Sequence, residues 1–286
     1  TVDNTNDAPV FTSEAITTAT EDTEYSYTMV AEDVDEGDEL TYTAPSLPDW
    51  LTFDDSNTIS GTPTNNDVGV HSIELFVTDN FDGTAEQSFT ITVENTNDAP
   101  EFLSDAITEA TEDILYSYSI ISSDVDVGDE LEITASTIPG WLQLVDNDDG
   151  TGTLDGTPEN EDVGDHAVVL RVTDESGAFA VQSFTIEVEN TNDAPTISLP
   201  DSLSFPEDDF LIEEFSDYIE DVDGDALALT ISGNEEISVD IDGYTITFTA
   251  SLNWYGTETL TFYVEDDSGE SAFDSVSVVV TPVNDP

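Results

Sequence analysis

The hexapeptide Asn95-Thr96-Asn97-Asp98-Ala99-Pro100 decides how this chain is organised, because it recurs letter for letter at Asn4–Pro9 and at Asn190–Pro195. A shorter form, Val283-Asn284-Asp285-Pro286, stands at the end of the sequence. The full copies begin at residues 4, 95 and 190, and a regular period of this length predicts a row of similar domains. We therefore predict a linker at 1–9, followed by repeat one at 10–98, repeat two at 99–193 and repeat three at 194–286.

The chain is extremely acidic. It has 67 Asp and Glu residues and a single Lys or Arg, Arg171, which gives a formal charge of −66. This charge excludes binding to nucleic acid, whose affinity comes from cations that displace counterions, and it argues against direct contact with an anionic membrane. Two explanations of the charge stay open: adaptation to salty water, and binding of divalent cations.

The sequence nevertheless predicts folded, all-β repeats. Hydrophobic residues make up 37% of the chain, whereas disorder requires low hydrophobicity together with high charge. Apolar and polar residues alternate with period two, as in Tyr25-Ser26-Tyr27-Thr28-Met29-Val30, which is typical of a half-buried strand. About seven such strands per repeat, with no helical period, predict a β-sandwich. Cysteine is absent, so no disulfide contributes to stability.

Acidic residues recur at matching positions of the repeats. Asp98 follows the strand-ending Asp79 by nineteen residues, and Asp193 follows Asp174 by the same number, although the repeats differ in length. Equal spacing in unequal repeats indicates fixed places in one architecture. In a sandwich, alternate loops lie at opposite ends of the domain, so acids from two successive repeats should converge on the linker between them.

A converging set of carboxylates requires cations, because two carboxylates about 4 Å apart repel by roughly 1 kcal/mol in water and by more where water is excluded. Calcium fits best, since it accepts six to eight oxygen ligands in flexible geometry, whereas magnesium keeps its water and zinc prefers His or Cys. We therefore predict Ca²⁺ as cofactor. The predicted ligands are Glu21, Asp22, Asp33, Asp35, Asp67, Asp79, Asn95, Asn97, Asp98, Glu112, Asp113, Asp124, Asp126, Asp162, Asp174, Asn190, Asn192, Asp193, Asp221, Asp223 and Asp266.

Several stretches carry a family resemblance. The segment 31–42 resembles the calcium loop of cadherin repeats, and 95–102 resembles their interdomain linker. Trp50-Leu51 and Gly61-Thr62-Pro63 resemble the dystroglycan-type cadherin-like (CADG) domains of large repetitive bacterial surface adhesins, including the RTX-adhesin type. Repeat three is more similar to the broader bacterial cadherin-like or Ig-like repeats. The resemblance implies three tandem seven-stranded Greek-key sandwiches in an elongated row, stiffened by calcium at each joint.

The resemblance also assigns roles to individual residues. Glu21 and Glu112 match the glutamate at the base of a cadherin domain. The pairs Asp124 with Asp126 and Asp221 with Asp223 match the Asp-x-Asp motif at the top, and Asp174 and Asp266 match a further aspartate there. The order Asn97-Asp98 departs from the vertebrate linker, which leaves open which of these two side chains is the ligand.

The basal Asp-Arg-Glu motif of cadherins is also missing. Asn66-Asp67 and Glu161-Asp162 stand in its place. Repeat three has Asn253-Trp254 there and lacks the acid, so a joint below it should bind calcium more weakly. The stretch Asp146–Gly150 has Asp-x-Asp-x-Gly spacing, but it lacks the distal glutamate of an EF-hand loop, and we favour an ordinary hairpin turn.

Two other classes of function were considered. Catalysis is disfavoured, because His71 and His166 occupy equivalent positions of two repeats, and the sequence offers neither lysine nor cysteine. A carbohydrate-binding module would use Trp50, Trp141 and Trp254 to stack on sugars. The repeated Trp-Leu pairs favour core anchors instead. Homophilic strand exchange would need an N-terminal tryptophan arm, which Thr1-Val2-Asp3 does not provide.

We therefore expect a non-enzymatic, calcium-dependent extender segment of a bacterial cell-surface adhesin, cut from a longer array, with polysaccharide binding as the alternative. The expected partners are neighbouring repeats of the same chain, and we expect an extracellular monomer. The linkers at 95–100 and 190–195 should be complete joints. Asn4–Pro9 has only an upper half and should bind weakly, and Val283–Pro286 has only a poor lower half.

Overall fold

The structure is a computed structural model that describes residues 5–54 and 56–284. Within these ranges the chain forms 26 β-strands, two short 3-10 helices and no α-helix. The all-β prediction is confirmed. No helix among the described residues is long and apolar enough to cross a membrane.

Repeat one forms two main sheets and a short strand pair. The sheet orders are β2-β9-β8-β5 and β3-β7-β6, with β1 paired to β4. The β2–β9 pairing is parallel and the other pairings are antiparallel. The strands are β1 Val10–Phe11, β2 Thr18–Thr20, β3 Tyr25–Thr28, β4 Ala31–Glu32, β5 Thr41–Ser46, β6 Thr52–Phe53, β7 Thr58–Gly61, β8 Gly69–Thr78 and β9 Thr84–Glu94, with a 3-10 helix at Asn65–Asp67.

Repeat two has the same plan in two four-stranded sheets, β10-β12-β15-β14 and β11-β17-β16-β13. Its strands are β10 Glu101–Phe102, β11 Glu109–Thr111, β12 Tyr116–Ser123, β13 Glu132–Thr137, β14 Gln143–Asp146, β15 Thr151–Gly156, β16 Gly164–Thr173 and β17 Phe179–Glu189, with a 3-10 helix at Asn160–Asp162.

Repeat three contains the sheets β19-β26-β25-β22 and β20-β24-β23 and the pair β18-β21. Its strands are β18 Thr196–Ile197, β19 Ser202–Pro206, β20 Phe210–Glu214, β21 Ile219–Glu220, β22 Ala228–Ser232, β23 Ile237–Asp242, β24 Thr245–Ala250, β25 Gly256–Glu265 and β26 Ser271–Thr281.

The strand count differs from the predicted seven per repeat. The described strands number nine, eight and nine, because the first strand of each repeat is split into two short pieces that join different sheets, as β10 and β11 do. In repeats one and three the second strand is also interrupted. Each sheet contains strands of one repeat only. The residue bounds of the domains stay a prediction.

Each repeat has its own hydrophobic core, built from the inward positions of its long strands. In repeat one, Ile73, Leu75 and Val77 are essentially inaccessible, and they alternate with outward polar residues such as Glu74. The core of repeat two is equivalent, and the core of repeat three combines aliphatic residues with four buried phenylalanines. This burial pattern confirms that the alternating apolar and polar residues form half-buried strands, because a strand directs successive side chains to opposite faces.

The repeated tryptophans are core anchors. Trp50 packs against the core of repeat one, with its ring edge-on to Tyr25 at 5.8 Å and to His71 at 5.9 Å between ring centroids. A Cβ at Gly61 would lie 1.8 Å from the Trp50 carbonyl oxygen, so only glycine allows this contact. Trp141 with Gly156, and Trp254 in repeat three, also pack against their cores.

Each repeat has loops that face a linker at both of its ends. The upper end, where the preceding linker enters, presents the loop after β4 or its equivalent and the turn joining the last two strands. The lower end presents the β2–β3 turn or its equivalent and, in repeats one and two, the 3-10 helix. These loops position the candidate site.

Candidate metal centres

A first group of acids lies at the lower end of repeat one. Glu21, Asp22 and Asp98 each offer a carboxylate oxygen, and these oxygens lie within 4.8 Å of one another. Glu21 is only 2% exposed, and its Oε2 is buried without a hydrogen-bond partner. Asp22 has a φ of 56°, a left-handed conformation that Asp tolerates better than most residues. The tight turn therefore directs two successive acids towards the linker.

The environment of Glu21 disfavours its charged form. Burial raises the pKa of Glu21 above its ordinary value, and although the Thr96 backbone N–H opposes this shift, the charges of Asp98, Asp22 and Asp126 add to it. Desolvation and like charges both favour the protonated carboxyl. Glu21 is therefore a buried carboxylate crowded by other acids, an environment that a bound cation would neutralise.

A second group lies in the upper loop of repeat two. Asp124, Asp126 and Asp129 bring three carboxylate oxygens within 4.8 Å of one another. The Asp126 N–H donates to Asp124 Oδ1 at 2.9 Å, while Oδ2 of Asp124 and Oδ2 of Asp129 are buried without hydrogen-bond partners. Burial, followed by the charges of Asp124, Asp126, Asp174 and Glu175, raises the pKa of Asp129.

The linker ties the two groups together through Asp126, which is 7% exposed. The Asp98 N–H donates to Asp126 Oδ2 at 2.8 Å, and Asn65 Nδ2 of repeat one donates to Asp126 Oδ1 at 2.8 Å. Asn97 Nδ2 donates to Asp174 Oδ2 at 2.8 Å. The carboxylates of repeat two therefore receive donors from the linker and from the repeat below it.

The second linker repeats this arrangement with one difference. Glu112, Asp193 and Asp223 form the lower group, and Asp221, Asp223 and Asp225 form the upper group, so Asp223 belongs to both. Glu112 is 1% exposed, and Oδ2 of Asp221 is buried without a partner. Burial raises the pKa of Asp193, and the charges of Asp113, Asp223 and Asp221 add to the shift.

Amides again bind the acids at this linker. Asn160 Nδ2 and Asn190 Nδ2 donate to Asp223 Oδ1 at 2.8 and 3.0 Å, and the Asp193 N–H donates to Asp223 Oδ2 at 2.7 Å. Asn192 Nδ2 donates to Asp266 Oδ2 at 3.0 Å.

Repeat one carries an upper group of its own. Asp33, Asp35 and Asp38 bring their oxygens within 4.8 Å, and Oδ2 of Asp33 and Oδ2 of Asp38 are buried without partners. The Asp7 N–H donates to Asp35 Oδ2 at 2.7 Å. Burial, followed by the charges of Asp33, Asp79 and Asp35, raises the pKa of Asp38. Asn4, in the same copy of the hexapeptide, lies outside the described residues.

The strand-ending aspartates are positioned differently from the grouped acids. Asp174 Oδ1 accepts hydrogen bonds from the Gly177 and Ala178 N–H groups, and Asn97 donates to its other oxygen. The Asn97 bond comes first among the causes that lower the pKa of Asp174. Asp79 and Asp266 have equivalent partners and also have lowered pKa values. These three carboxylates are buried at the edge of the groups, with their hydrogen-bond needs met by the protein.

Besides the strand-ending aspartates and the linker amides Asn97, Asn190 and Asn192, four more predicted ligands lie outside the groups. Asp67 Oδ2 accepts from Thr64 N and Thr64 Oγ1 at 2.9 and 2.8 Å, so its carboxylate caps the 3-10 helix. Asp162 accepts from the Glu159 N–H at 3.1 Å in the same way. Asp113 contributes to the Asp193 site only through its charge. Asn95 is exposed.

The sequence reasoning missed two kinds of residue. Asp38, Asp129 and Asp225 complete the upper groups, and each directly follows a glycine of the upper loop, so a closer comparison of the repeats could have found them. Asn65 and Asn160 reach across the linkers from the 3-10 helices. No pattern in the sequence signals that reach.

Two other acidic stretches have carboxylates that accept backbone hydrogen bonds. In the turn after β14, Asp146 Oδ2 accepts from the Ile133 N–H at 2.8 Å and Asp149 Oδ1 accepts from the Thr151 N–H at 3.0 Å, as expected for a hairpin turn. At the lower end of repeat three, the buried Glu207 accepts from the Val283 N–H at 2.7 Å. Asp285 and Pro286 lie outside the described residues.

The donor set of the groups fits a hard divalent cation. Each group supplies carboxylate oxygens and no imidazole or thiolate, and several of these oxygens are buried without a donor. Such oxygens suit calcium better than zinc.

Solved structures share the fold of this chain. The extracellular cadherin domains 1–5 of protocadherin gamma B2 give a TM-score of 0.62 at 18% identity, covering 97% of this chain and 60% of that chain. The EC3–6 cis-dimer structure of protocadherin gammaB7 gives 0.59 at 18% identity, covering 96% and 74%. An endo-fucoidan hydrolase of glycoside hydrolase family 107 is 23% identical over 98% of this chain and 45% of its own, but its TM-score of 0.35 carries no argument.

This chain thus spans less than two thirds of the length of the protocadherin gamma B2 and hydrolase chains. No curated protein matches it. A family model described as "Bacterial Ig domain" matches residues 192–281. A second model, described as "Putative Ig domain", matches residues 8–94 and 99–189, which together are more than half of the chain. The chain therefore belongs to this family of Ig-like domains.

Proposed function

We propose that this chain is a calcium-dependent extender segment of a bacterial cell-surface adhesin, in which Ca²⁺ at the linkers rigidifies a row of Ig-like repeats. The observation that carries the proposal is the set of buried carboxylate oxygens without donors, among them Glu21 Oε2 and Asp124 Oδ2 at the first linker. An unpaired buried carboxylate is costly, so in proteins it is paired, protonated or bound to a metal.

The choice of calcium follows from the chemistry of these ligands. At the first linker, repeat one supplies Glu21 and Asp22, the linker supplies Asp98, and repeat two supplies its upper loop. Oxygen donors of this number and irregular arrangement suit Ca²⁺, whereas Mg²⁺ demands near-ideal octahedral geometry and keeps its water. When bound, calcium would supply the positive charge that neutralises these acids.

The residues of this chain then convert cation binding into stiffness. Glu21 and Asp22 of repeat one group with Asp98 of the linker, whose N–H donates to Asp126 of repeat two, so a cation bound by this group would fix the linker against both repeats. The Asp98 N–H and the Asn65 amide already hold Asp126 in that alignment. Binding to the aligned state alone adds stability by mass action, about 2.7 kcal/mol per site at a hundredfold excess over the Kd.

The wider assignment rests on the family and on the fold. A bacterial Ig domain model matches repeat three, and the protocadherin chains that share the fold are extracellular. Ig-like and cadherin-like folds are typically non-enzymatic, which suits a mechanical role. We propose an extracellular, monomeric segment of a dystroglycan-type or RTX-type adhesin, whose direct partners are neighbouring repeats. Polysaccharide binding remains the alternative, without support from Trp50 and Trp141, which pack against the cores.

Small-angle scattering of the whole chain tests the proposal. Profiles are recorded in calcium, after chelation, and in magnesium at the same ionic strength. We expect a rod in calcium and a flexible chain in the other two conditions. Glu21→Gln with Glu112→Gln should give the flexible profile even in calcium. The matched control Asp165→Asn, which removes charge from an exposed strand position, should not. Identical wild-type profiles with calcium and with chelator would refute the proposal.

A further inference from the structure

We propose that repeat three carries a binding surface for an uncharged polysaccharide on the outer face of its four-stranded sheet, centred on Tyr263 and Phe273. These residues lie opposite each other on β25 and β26, so they share one face of the sheet. Tyr263 alternates with the buried Phe262 and Val264, so this face points away from the core. A binding surface within one repeat goes beyond the proposed function and does not depend on calcium.

Tyr263 and Phe273 form an exposed aromatic pair. Their ring centroids lie 5.7 Å apart with 36° between the ring planes, and 41% of Tyr263 and 68% of Phe273 is exposed. This arrangement leaves a continuous apolar area in water, and a ligand that covered it would be bound by the hydrophobic effect. Exposed apolar patches rimmed by polar residues are typical of interaction sites.

Hydroxyl side chains surround the aromatic pair. Thr230 of β22 lies beside Tyr263 in the sheet. The next row of the same face contains Ser232, Thr261 and Ser275. Thr261 Oγ1 and Ser275 Oγ are hydrogen-bonded to each other at 2.9 Å. Because a hydroxyl both donates and accepts, this row can exchange hydrogen bonds with the hydroxyls of a ligand.

This face carries little charge, although the chain has a formal charge of −66. On the described strands β25 and β26, Glu265 is the only acid at an outward position. The equivalent strands of repeat two direct Asp165, Glu187 and Glu189 outward. An anionic ligand finds no cation on this face, and a cationic ligand would bind more strongly to the acidic loops. The charge distribution therefore fits an uncharged partner.

The other two repeats have different residues at the place of the aromatic pair, which begins three residues before the strand-ending aspartate. Repeat one has Phe76 opposite Glu86. Repeat two has Arg171 opposite Val181. The Arg171 guanidinium also covers the neighbouring Phe179 ring, at 3.9 Å from its centre. Among the described strands, repeat three alone therefore presents two uncovered aromatic rings opposite each other at this place.

A flat, uncharged sugar chain matches this surface. The face of an aromatic ring carries partial negative charge, so it attracts the C–H groups on the face of a pyranose ring. A β-linked glucan presents such C–H faces along its length and can lie on an open sheet. A second copy of this chain fits less well, because both copies are strongly acidic and homodimer interfaces are more apolar than this hydroxyl-rich face. The polysaccharide alternative thus gains a site apart from the core tryptophans.

Calorimetric titration of the whole chain with cellohexaose, a β-linked glucan, tests this proposal. We expect saturable binding, equally in calcium and in chelator. Tyr263→Ala and Phe273→Ala should each weaken binding about tenfold or more, the order expected for loss of one stacking ring. Phe210→Ala is the matched control, because it removes an exposed ring from the other sheet of repeat three. This control should bind cellohexaose as wild type does.

NMR of the wild type gives a second readout that needs no variant. Cellohexaose should shift the amide signals of 230–232, 261–263 and 273–275. Absence of saturable binding, an equal loss in Phe210→Ala and Phe273→Ala, or tighter binding of anionic polygalacturonate would each overturn the proposal. Sedimentation that shows a dimer in wild type and a monomer in Phe273→Ala would also overturn it, because the face would then join two copies.

Failure of this proposal is distinguishable from failure of the calcium proposal. If calcium leaves the scattering profile unchanged while cellohexaose binds at the aromatic pair, the extender role is refuted and the sugar surface stands. If wild type becomes a rod in calcium and binds no cellohexaose, the sugar surface is refuted and the extender role stands.

Discussion

The two linkers between repeats share an identical hexapeptide, yet their acids are grouped differently. At the first linker the lower group contains Asp22 and is separate from the upper group of Asp126. At the second linker Asp223 belongs to both groups. The linker motif contributes one carboxylate to the groups, Asp98 or Asp193, and the difference between the two linkers therefore comes from the flanking loops.

Removing calcium should have the largest effect, and it should act on both linkers. Each lost site withdraws about 2.7 kcal/mol if calcium was at a hundredfold excess over its Kd. We expect hydrogen exchange to accelerate at 18–24 and 95–100 for the first linker, and at 109–115 and 190–195 for the second. Mass spectrometry of peptides with and without chelator measures this.

The core strand β8 is the internal control, because its buried positions Ile73, Leu75 and Val77 lie away from the linkers. Its protection should change little. If hydrogen exchange accelerated equally in β8 and at the linkers, calcium would stabilise each repeat as a whole. The effect of calcium would then not be specific to the linkers.

Asp223→Asn should be more damaging than Asp126→Asn. Asp223 serves both groups at the second linker, so its loss weakens two sites, whereas Asp126 belongs to one group. We expect Asp223→Asn to lower the apparent calcium affinity of its linker at least tenfold more than Asp126→Asn does at the first, a difference of about 1.4 kcal/mol. Calorimetric titration measures both, with Asp165→Asn as control. If both variants lost the same calcium affinity, Asp223 would contribute no more to its linker than Asp126 does to the first.

The asparagine side chains that donate to an aspartate of the next repeat offer a finer comparison. Asn65 donates to Asp126 Oδ1, whereas Asn160 and Asn190 both donate to Asp223 Oδ1. Asn65→Ala should therefore cost about 1 kcal/mol of linker alignment, and Asn160→Ala less, because Asn190 remains. In metal-free protein, NMR exchange of the Asp98 amide should accelerate about fivefold in Asn65→Ala, since 1 kcal/mol is a factor of about five. A larger change at Asp193 in Asn160→Ala would contradict this order.

Much of this architecture could be predicted from the sequence. Period-two alternation in segments such as 25–30 indicated strands, and the strand-ending Asp79 and Asp174 were located by their fixed distance from the linker. The loop positions of Asp124 and Asp126 followed from the general arrangement of a sandwich. These features depend on local pattern and on repetition, which a sequence displays directly.

The remainder depends on short-range geometry that sequence does not display. Asp67 and Asp162 stand where cadherins have acidic ligands, and in the structure Oδ2 of each also accepts a backbone N–H at the start of a 3-10 helix. Their role as ligands stays a prediction. Asn65 acts on a residue of another repeat, which no local pattern predicts. The first strand of each repeat is split into two short pieces that join different sheets, and no sequence pattern displays that split.

The pH dependence of the metal-free protein should distinguish the grouped acids from the strand-ending aspartates. The pKa values of Glu21 at the first linker and Asp193 at the second are raised, so the folded state binds more protons than the unfolded chain above the ordinary carboxyl pKa of roughly 4. The free energy of unfolding should therefore increase as the pH falls from 7 towards 5. The pKa values of Asp174 and Asp266 are lowered, so these two carboxylates stabilise the folded state at pH 5 to 7. That stabilisation is lost only below this range, when the folded protein takes up their protons.

With calcium bound the sign should reverse, because protons then compete with the cation for the same carboxylates. Thermal midpoints at pH 7, 6 and 5, with metal-stripped and with calcium-loaded protein, measure both trends. Glu21→Gln should remove the contribution of the first linker, and Asp193→Asn that of the second. If the metal-stripped wild type instead loses stability between pH 7 and pH 5, the grouped acids are not the crowded, desolvated carboxylates on which the calcium proposal rests.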